Sequence, residues 1–172
     1  PTLPIEPERP PLSMRAAAGG GAAIGLSPGV AALIHLNVAL GRPTWSIGLG
    51  AAATIPTQTD LDVGRLETSL FVAEVLPCWR RRWLSVCGVG MIGSLRTTGF
   101  ELENASSNAS IYAALGTRIG ADLTLTPTTA VRLYVQAQGV LARTRATVGG
   151  EQVWRTPDFA GHAGAAIVFA LF

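Results

Sequence analysis

The stretch VRLYVQAQ at residues 131–138 alternates strictly between apolar and polar side chains. In an extended chain, successive side chains point to opposite faces, so the two kinds of residue separate. One face carries Val131, Leu133, Val135 and Ala137, and the other carries Arg132, Tyr134, Gln136 and Gln138. The stretch is therefore predicted to be a β-strand that separates an apolar environment from a polar one.

The same two-residue period recurs elsewhere in the chain. Between residues 111 and 125, Ile111, Ala113, Leu115, Ile119, Ala121 and Leu123 alternate with Tyr112, Gly116, Arg118, Asp122 and Thr124. Leu36, Val38 and Leu40 likewise alternate with His35, Asn37 and Ala39. Most other apolar segments are only about 9–13 residues long, which is short for a membrane-spanning helix and typical of a tilted membrane strand of about 9–11 residues.

The composition favours a lipid environment over water. Hydrophobic residues make up 48% of the 172 residues and charged residues 14%, against roughly 25% charged in a soluble domain. Mean hydropathy is +0.36. A soluble β-sandwich or β-barrel would show the same alternation with its faces exchanged, but so few charges would leave its surface poorly covered. A soluble β domain is therefore the alternative interpretation.

The charged residues do not indicate a nucleic-acid partner. The net charge is +2, and every basic residue is an arginine. Apart from the run Arg80–Arg82, the arginines are dispersed, without a long basic stripe interleaved with aromatic residues. Such a stripe is the usual footprint of nucleic-acid recognition. We therefore expect no nucleic-acid binding.

Residues 16–41 carry no charge and are long enough for a transmembrane helix, which needs about 20 residues. Three features argue against a helix there. Gly19–Gly21 are consecutive, and each costs roughly 1 kcal/mol of helix propensity. Ser27-Pro28-Gly29 is a turn signal. His35 and Asn37 are two residues apart, so they share a face of a strand and not of a helix.

Eight strands are predicted, at residues 12–25, 31–40, 44–54, 67–76, 83–95, 111–125, 130–143 and 159–172. The tight turns between them are Gly41–Pro43, Pro77–Arg82 and Thr126–Thr128, and the longer segments are Thr54–Leu66, Arg96–Ser110 and Ala142–Phe159. Short turns at one end and longer loops at the other are typical of transmembrane barrels. Residues 12–172 are therefore predicted to form an all-β, antiparallel up-and-down transmembrane β-barrel of about eight strands.

An even number of strands places both chain ends on the same side of the membrane, which is the periplasmic side in such barrels. The Pro-rich residues 1–11 are interpreted as an extended periplasmic leader or linker. In the last long segment, residues 147–154 resemble a hairpin tip, because Gly149-Gly150 can supply the positive φ angles of a tight turn. Trp154 in this hairpin is a candidate for contact with a partner.

The chain ends GHAGAAIVFALF at residues 161–172. A last strand that closes on Phe172 resembles the C-terminal signal of Gram-negative outer-membrane barrels, which the barrel assembly machinery reads in that family. The resemblance implies a place in the bacterial outer membrane, with outer-membrane lipid and that machinery as partners. The Gly/Ala-rich, arginine-only composition also resembles small barrel proteins of myxobacteria and related Deltaproteobacteria.

The phase of the last strand stays open at this point. If Phe172 faces lipid, then Gly164, Ala166, Val168 and Ala170 should face lipid as well. Ile167, Phe169 and Leu171 would then point inward. Because this strand is apolar on both faces, the alternation alone does not decide between the two phases.

An eight-stranded barrel has an interior just wide enough for side chains to fill, and charges buried there must pair. We expect a polar network that closes the lumen, formed by Arg15, His35, Asn37, Glu74, Tyr112, Arg118, Asp122, Arg132, Tyr134, Gln136 and Gln138. This network is interpreted as a structural polar core, and a gated pore or a ligand cavity is the functional alternative.

Cys78 and Cys87 flank the turn around Arg80–Arg82, and we expect them to form a disulfide that stabilises it by about 2–3 kcal/mol at most. Trp45, Trp79 and Trp83 are predicted to form an interfacial aromatic belt. Arg80–Arg82 are interpreted as a solvated turn, with contact to anionic phosphates as the alternative.

No catalytic residue, metal site or cofactor is predicted. His35 and His162 are the residues on which a lipid-modifying barrel enzyme would rely, but no Ser/His/Asp spacing accompanies them. The first hypothesis for function is a structural or binding role through extracellular loops, which would meet an extracellular ligand or partner. The alternatives are a narrow porin-like channel, a lipid-modifying enzyme and a soluble β domain.

Overall fold

The structure, a computed structural model, describes residues 12–26, 29–61, 64–100, 107–142, 145–148 and 151–172. The predicted leader at residues 1–11 and the glycine pair of the predicted hairpin tip lie outside the described residues. The strands of the described part are β1 (Ser13–Ile24), β2 (Ala31–Gly41), β3 (Trp45–Thr54), β4 (Thr57–Leu61), β5 (Gly64–Arg81), β6 (Leu84–Phe100), β7 (Ser107–Thr124), β8 (Thr129–Val140), β9 (Arg145–Val148), β10 (Glu151–Arg155) and β11 (Phe159–Ala170).

Eight of these strands form a closed antiparallel wall. Its order is β3-β2-β1-β11-β8-β7-β6-β5, and pairing of β3 with β5 closes the ring. β4 pairs with the first residues of β5, and β9 pairs with β10 in a separate hairpin. The predicted fold class, an all-β antiparallel eight-stranded barrel, is confirmed. Closure leaves the wall without a free edge strand.

The two ends of the barrel differ. The turn end carries the short connections at residues 42–44, 82–83 and 125–128 together with both ends of the barrel chain. The loop end carries the connection from β1 to β2 and the hairpins β4–β5 and β9–β10. Among the described residues, no helix is long and apolar enough to cross a membrane.

Side chains alternate between the lumen and the exterior along the wall strands, as the two-residue period predicts. Val72 is fully buried, whereas its neighbour Phe71 is 62% exposed. Large apolar side chains are exposed on every wall strand, among them Ile24, Leu36, Leu49, Phe71, Ile92, Leu115, Leu133 and Ile167. An outward apolar face around a closed ring is typical of a wall that meets lipid.

The predicted turn Pro77–Arg82 is wrong, because β5 continues through Pro77 and the turn is Arg82-Trp83. Proline has no N–H to donate to a ladder, which is why it reads as a strand breaker. The ladder between β5 and β6 is interrupted only locally, between the pairs Val75–Gly90 and Cys78–Cys87. Gly88 at the facing position leaves room for the proline ring, since even an added Cβ there would lie 3.5 Å from Pro77 Cγ, an ordinary van der Waals distance.

The strands predicted at residues 67–76 and 83–95 are too short. β5 has 18 residues and β6 has 17. At about 3.3 Å per residue these strands are much longer than the apolar band of about 25 Å, even when tilted. They therefore extend the wall at the loop end. The apolar pattern marked only the parts of each strand that lie within the band.

The structure fixes the phase of the last strand. Phe169 is 45% exposed and Val168 only 4%, so Ile167 and Phe169 face outward. This is the opposite of the phase counted back from Phe172. β11 ends at Ala170, and the backbone N–H of Met14 donates to the Phe172 carbonyl at 3.0 Å. Phe172 thus follows the strand, and its exposure does not report the alternation within it.

Glycine in the middle of β1 permits a close approach of β1 to β11. A Cβ added at Gly19 would lie 2.1 Å from the Ala165 carbonyl oxygen, and one added at Gly21 would lie 2.1 Å from that of Ala163. No larger side chain fits at these positions without moving the backbone. The glycine run that argued against a helix is thus explained by the close packing of two wall strands.

Candidate functional site

The lumen towards the loop end is filled by apolar side chains. Val72, Leu95 and Tyr112 are among the most completely buried large side chains of the described residues. The buried cluster around them also contains Leu26, Leu33, Ala52, Leu70, Val89, Met91, Val140 and Ala160. Among the described residues, this part of the lumen is thus packed with apolar side chains.

A hydrogen-bonded group, here called the middle cluster, lies on the turn-end side of this apolar layer. Its members are Glu74, Tyr112, Arg118, Gln136 and Gln138. Arg118 Nη2 donates to Glu74 Oε2 at 2.8 Å, and Arg118 Nε donates to Gln136 Oε1 at 2.7 Å. Gln136 donates to Gln138 Oε1, and Gln138 Nε2 donates to the Tyr112 hydroxyl at 2.9 Å. The side chains of Arg118 and Glu74 are only 8% and 1% exposed. The chain thus joins β5, β7 and β8 across the interior.

Three aromatic rings pack beside the middle cluster. The Tyr134 hydroxyl is 3.0 Å from His35 Nδ1, and the two rings meet edge to face at 5.0 Å. His162 packs on the other side of Tyr134 at 5.6 Å, and the Arg118 guanidinium lies 5.0 Å from the centroid of Tyr134. His162 Nδ1 and Glu74 Oε1 are buried with no hydrogen-bond partner among the described residues. Both histidines therefore face the interior and not the lipid.

A second charged group, here called the mouth cluster, lies nearer the turn end. Arg132 donates to both oxygens of Asp122, from Nε at 2.6 Å and from Nη2 at 2.8 Å. Arg80 Nη2 donates to Asp122 Oδ2 at 3.0 Å. Arg15, on the lumen side of β1, is close enough to Asp122 and Arg80 to interact with both electrostatically. Three guanidinium groups thus share one carboxylate.

The predicted disulfide between Cys78 and Cys87 is present. The two residues are direct partners in the ladder of β5 and β6, with Cα atoms 4.0 Å apart, and Cys87 is buried. The bond lies inside the lumen between the middle and mouth clusters, and not at the surface of the turn. A cavity of about 20 Å³ beside it, lined also by Arg118 and Arg132, has room for one water.

An open pocket, here called the turn-end bowl, lies outside the mouth cluster. It has a volume of about 250 Å³, and its walls include Arg15, Arg82, Trp83, Asp122, Thr126 and Thr128. The side chains come from the turns β5–β6 and β7–β8, from the end of β7 and from β1. The bowl is the opening through which solvent at the turn end meets the mouth cluster.

The structure places all the residues of the predicted polar network on the lumen side of their strands. It divides most of them between two levels, the middle cluster with its rings and the mouth cluster, where the sequence predicted one network. Arg80 was missed, because Arg80–Arg82 were interpreted as a solvated turn. Continuation of the alternation from Glu74 through Cys78 would have placed Arg80 in the lumen. Ser46 and Ser85 are buried lumen residues that also escaped the prediction.

The predicted belt residues Trp45, Trp79 and Trp83 lie at the turn end, and the side chains of all three are exposed. Trp45 and Trp79 are direct partners in the ladder of β3 and β5. Phe172 is exposed at the same end. Within the part of the chain that the structure describes, no group of His, Cys, Asp or Glu side chains is placed so that it could hold a metal ion.

No family model matches the chain, and no curated protein matches its sequence. Solved structures match its fold. A major outer membrane protein from Thermus thermophilus matches with a TM-score of 0.60 and 12% identity, over 93% of this chain and 99% of that one. Neisserial surface protein A matches with a TM-score of 0.55 and 10% identity, over 92% and 96%.

Ail of Yersinia pestis, in complex with the heparin analogue sucrose octasulfate, matches with a TM-score of 0.51 and 10% identity, over 92% of this chain and 96% of that one. Identities this low carry information about the fold alone. The chain therefore has the fold of small bacterial outer-membrane β-barrels.

Proposed function

We propose that this chain is an integral protein of the bacterial outer membrane whose filled barrel conducts no solute and supports a structural or binding role of its loop end. The observation that carries the proposal is the ion pair of Arg118 and Glu74 across the middle of the lumen, 2.8 Å long and almost inaccessible to solvent. If the barrel is closed at its centre, its function depends on its exterior surface and its loops.

The packing on both sides of this ion pair supports the absence of a channel. Val72, Leu95 and Tyr112 fill the lumen towards the loop end. The cavity on the other side of the pair has a volume of about 20 Å³, which is room for one water and not for a continuous file. The alternative of a narrow porin-like channel would require these side chains to move together.

The exterior of the barrel supports the proposed location. Exposed apolar side chains surround the wall, and the three exposed tryptophans at the turn end suit a membrane interface. We assign the turn end, with both ends of the barrel chain, to the periplasm, and residues 1–11 to a periplasmic leader that precedes the barrel at residues 12–172. A relationship to myxobacterial barrels stays a prediction that rests on the arginine-only composition.

A binding role for the loop end is supported by its construction. β4 with the start of β5 and the hairpin β9–β10 extend beyond the wall. The Ail structure with sucrose octasulfate is an example of a barrel of this fold that holds a sulfated sugar. The non-enzymatic character of the proposal rests on His35 and His162, which are buried in the lumen and face away from the lipid that a lipid-modifying enzyme would need to reach.

Single-channel recording in planar bilayers tests the closed lumen. The full chain is refolded in detergent, and folding is checked by the mobility shift between boiled and unboiled samples in SDS gels. We expect no stepwise current from the wild type. The variant Val72→Ala/Leu95→Ala/Tyr112→Ala/Glu74→Ala/Arg118→Ala, which removes both the apolar layer and the central ion pair, is the matched positive control and should pass small ions. Discrete current steps from the wild type would replace the proposal with the porin-like alternative.

Epitope insertion tests the orientation. A tag between β9 and β10 should bind antibody on intact cells, whereas a tag in the turn at residues 125–128 should bind it only after the outer membrane is permeabilised. The reverse pattern would invert the barrel and assign the binding role to the other end.

A further inference from the structure

We propose that the turn-end bowl binds an anionic phosphate group, carried either by a small solute or by a lipid headgroup. The proposal concerns the end of the barrel opposite to the loops and holds whichever side of the membrane that end faces. Four features support it: the balance of charge, the hydrogen bonds of Asp122, the backbone of Arg82 and the hydroxyl groups of the rim.

Positive charge is concentrated at the turn end. The described residues there include six arginines, Arg15, Arg42, Arg80, Arg81, Arg82 and Arg132, and one acidic residue, Asp122. At the loop end the described residues include both signs, and Asp60 and Arg65 are direct partners in the ladder of β4 and β5. Partly buried cations in such excess attract an anion to the place where solvent enters.

The carboxylate in the bowl does not repel such an anion strongly. Both oxygens of Asp122 accept hydrogen bonds from Arg132, and Oδ2 also accepts one from Arg80. The charge of Asp122 is thus already compensated twice. Arg15 and Arg82 also line the bowl, and their guanidinium groups are suited to the paired acceptors of a phosphate.

Arg82 occupies a backbone conformation that its side chain disfavours. Its φ is 55°, and among the described residues it is the one non-glycine residue with a positive φ. Glycine is the ordinary residue for such a position in a turn. A strained residue at a pocket is a pointer to function. Here the strained residue places a guanidinium group at the rim of the bowl.

Two threonines at the rim supply neutral hydrogen-bond donors. Thr126 and Thr128 line the bowl, and their hydroxyl oxygens are 3.5 Å apart. Threonine hydroxyls and arginines together form a usual set of phosphate ligands. The volume of about 250 Å³ is below the roughly 300–1,000 Å³ of pockets for drug-sized ligands. The bowl therefore suits a phosphate with a small substituent, such as the glycerol phosphate of a lipid headgroup.

Calorimetric titration of the refolded full chain with glycerol 3-phosphate and with inorganic phosphate tests the site. The detergent is a non-ionic maltoside, so that it supplies no phosphate. Arg82→Gly removes the guanidinium and leaves a residue that adopts the positive φ freely, so the variant should fold at least as well as the wild type. We expect Arg82→Gly and Arg15→Ala each to weaken binding roughly tenfold or more, because each removes hydrogen bonds between charged partners.

Arg81→Ala is the matched control. Arg81 is adjacent in the chain and carries the same charge, but its exposed side chain does not line the bowl. Its substitution should change the affinity by less than about twofold, as expected for a screened surface charge. Equal losses in Arg81→Ala and Arg82→Gly would overturn the proposal in favour of diffuse surface charge. The absence of saturable binding to the wild type would overturn it as well.

Nanodiscs distinguish the two sources of phosphate. Glycerol 3-phosphate is titrated into the wild type in discs of a galactolipid, which carries no phosphate, and in discs that also contain phosphatidylglycerol. If the headgroup occupies the bowl, phosphatidylglycerol should abolish the binding of glycerol 3-phosphate, and Arg82→Gly in the galactolipid should mimic this loss. If the ligand comes from solution, binding should persist in both kinds of disc.

Discussion

The middle and mouth clusters both contain arginine and carboxylate side chains, but they differ in the number of arginines for each carboxylate. In the middle cluster one guanidinium meets one carboxylate, with Arg118 and Glu74 sealed from solvent on both sides. In the mouth cluster Arg15, Arg80 and Arg132 surround the carboxylate of Asp122, and Arg15 and Asp122 line the turn-end bowl.

The difference reflects access to water. A sealed interior cannot hold an unpaired charge without a large desolvation penalty, so the middle cluster is neutral. Arg15 and Asp122 of the mouth cluster line the turn-end bowl, so solvent reaches part of this cluster and an excess of positive charge is tolerated there. We therefore interpret the first cluster as a structural plug and propose the second as the place where an external anion binds.

The largest effect should follow from unbalancing the middle cluster. Arg118→Met leaves the Glu74 carboxylate buried without its cation, and we expect the free energy of unfolding to fall by about 3–5 kcal/mol. The measurement is a denaturant titration of the refolded protein, followed by tryptophan fluorescence. The double variant Glu74→Leu/Arg118→Met should recover most of this loss, because it removes both charges. Equal losses in the single and double variants would contradict the role of charge balance.

Removal of the disulfide tests how much the region between the two clusters contributes to stability. In the variant Cys78→Ala/Cys87→Ala the β5–β6 hairpin loses its covalent bond, which closes a loop of sequence separation 9. We expect a loss of about 2–3 kcal/mol from the entropy of the unfolded chain. The same titration measures it, with the wild type in reducing and non-reducing buffer as the second comparison. A change below about 0.5 kcal/mol would mean that the ladder alone fixes the hairpin.

A substitution in the mouth cluster should have the smallest effect on the free energy of unfolding. Arg132→Ala removes two hydrogen bonds to Asp122, but Arg80 still pairs with that carboxylate and water can enter. We expect a loss of about 1–2 kcal/mol, near the lower part of the range for hydrogen bonds to charged groups. A loss as large as that of Arg118→Met would show that the mouth cluster is as sealed as the middle one, and the contrast between them would fail.

The sequence predicted the wall well, because alternation is a local property. Residues 131–138 could be assigned to two faces without any knowledge of their neighbours, and β8 has those faces. The same count extended through β5 would have identified Arg80 as a lumen residue. Pro77 prevented that, because a proline has no N–H to donate and usually ends or interrupts a strand.

The division of the lumen into two clusters could not be predicted. Alternation states that Glu74, Arg118, Asp122 and Arg132 face inward, but the level of each side chain depends on the register between strands. The register of β7 against β8 pairs Asp122 with Arg132 and Arg118 with Gln136. The pairing of Arg118 with Glu74 also depends on β6, which lies between their strands. The sequence also could not predict which residues of β11 face the lumen, because both faces of this strand are apolar.

The position of the disulfide has a consequence for the order of events in assembly. Cys87 is buried inside a closed ring, where a protein oxidase does not reach its sulfur. The bond therefore has to form while β5 and β6 are still an open hairpin, in a compartment that oxidises thiols. From then on the pairing of Cys78 with Cys87 holds the register, and a slip by one residue, which would turn the charged face towards lipid, is blocked. The barrel thus closes around a hairpin whose alignment was settled before it entered the membrane.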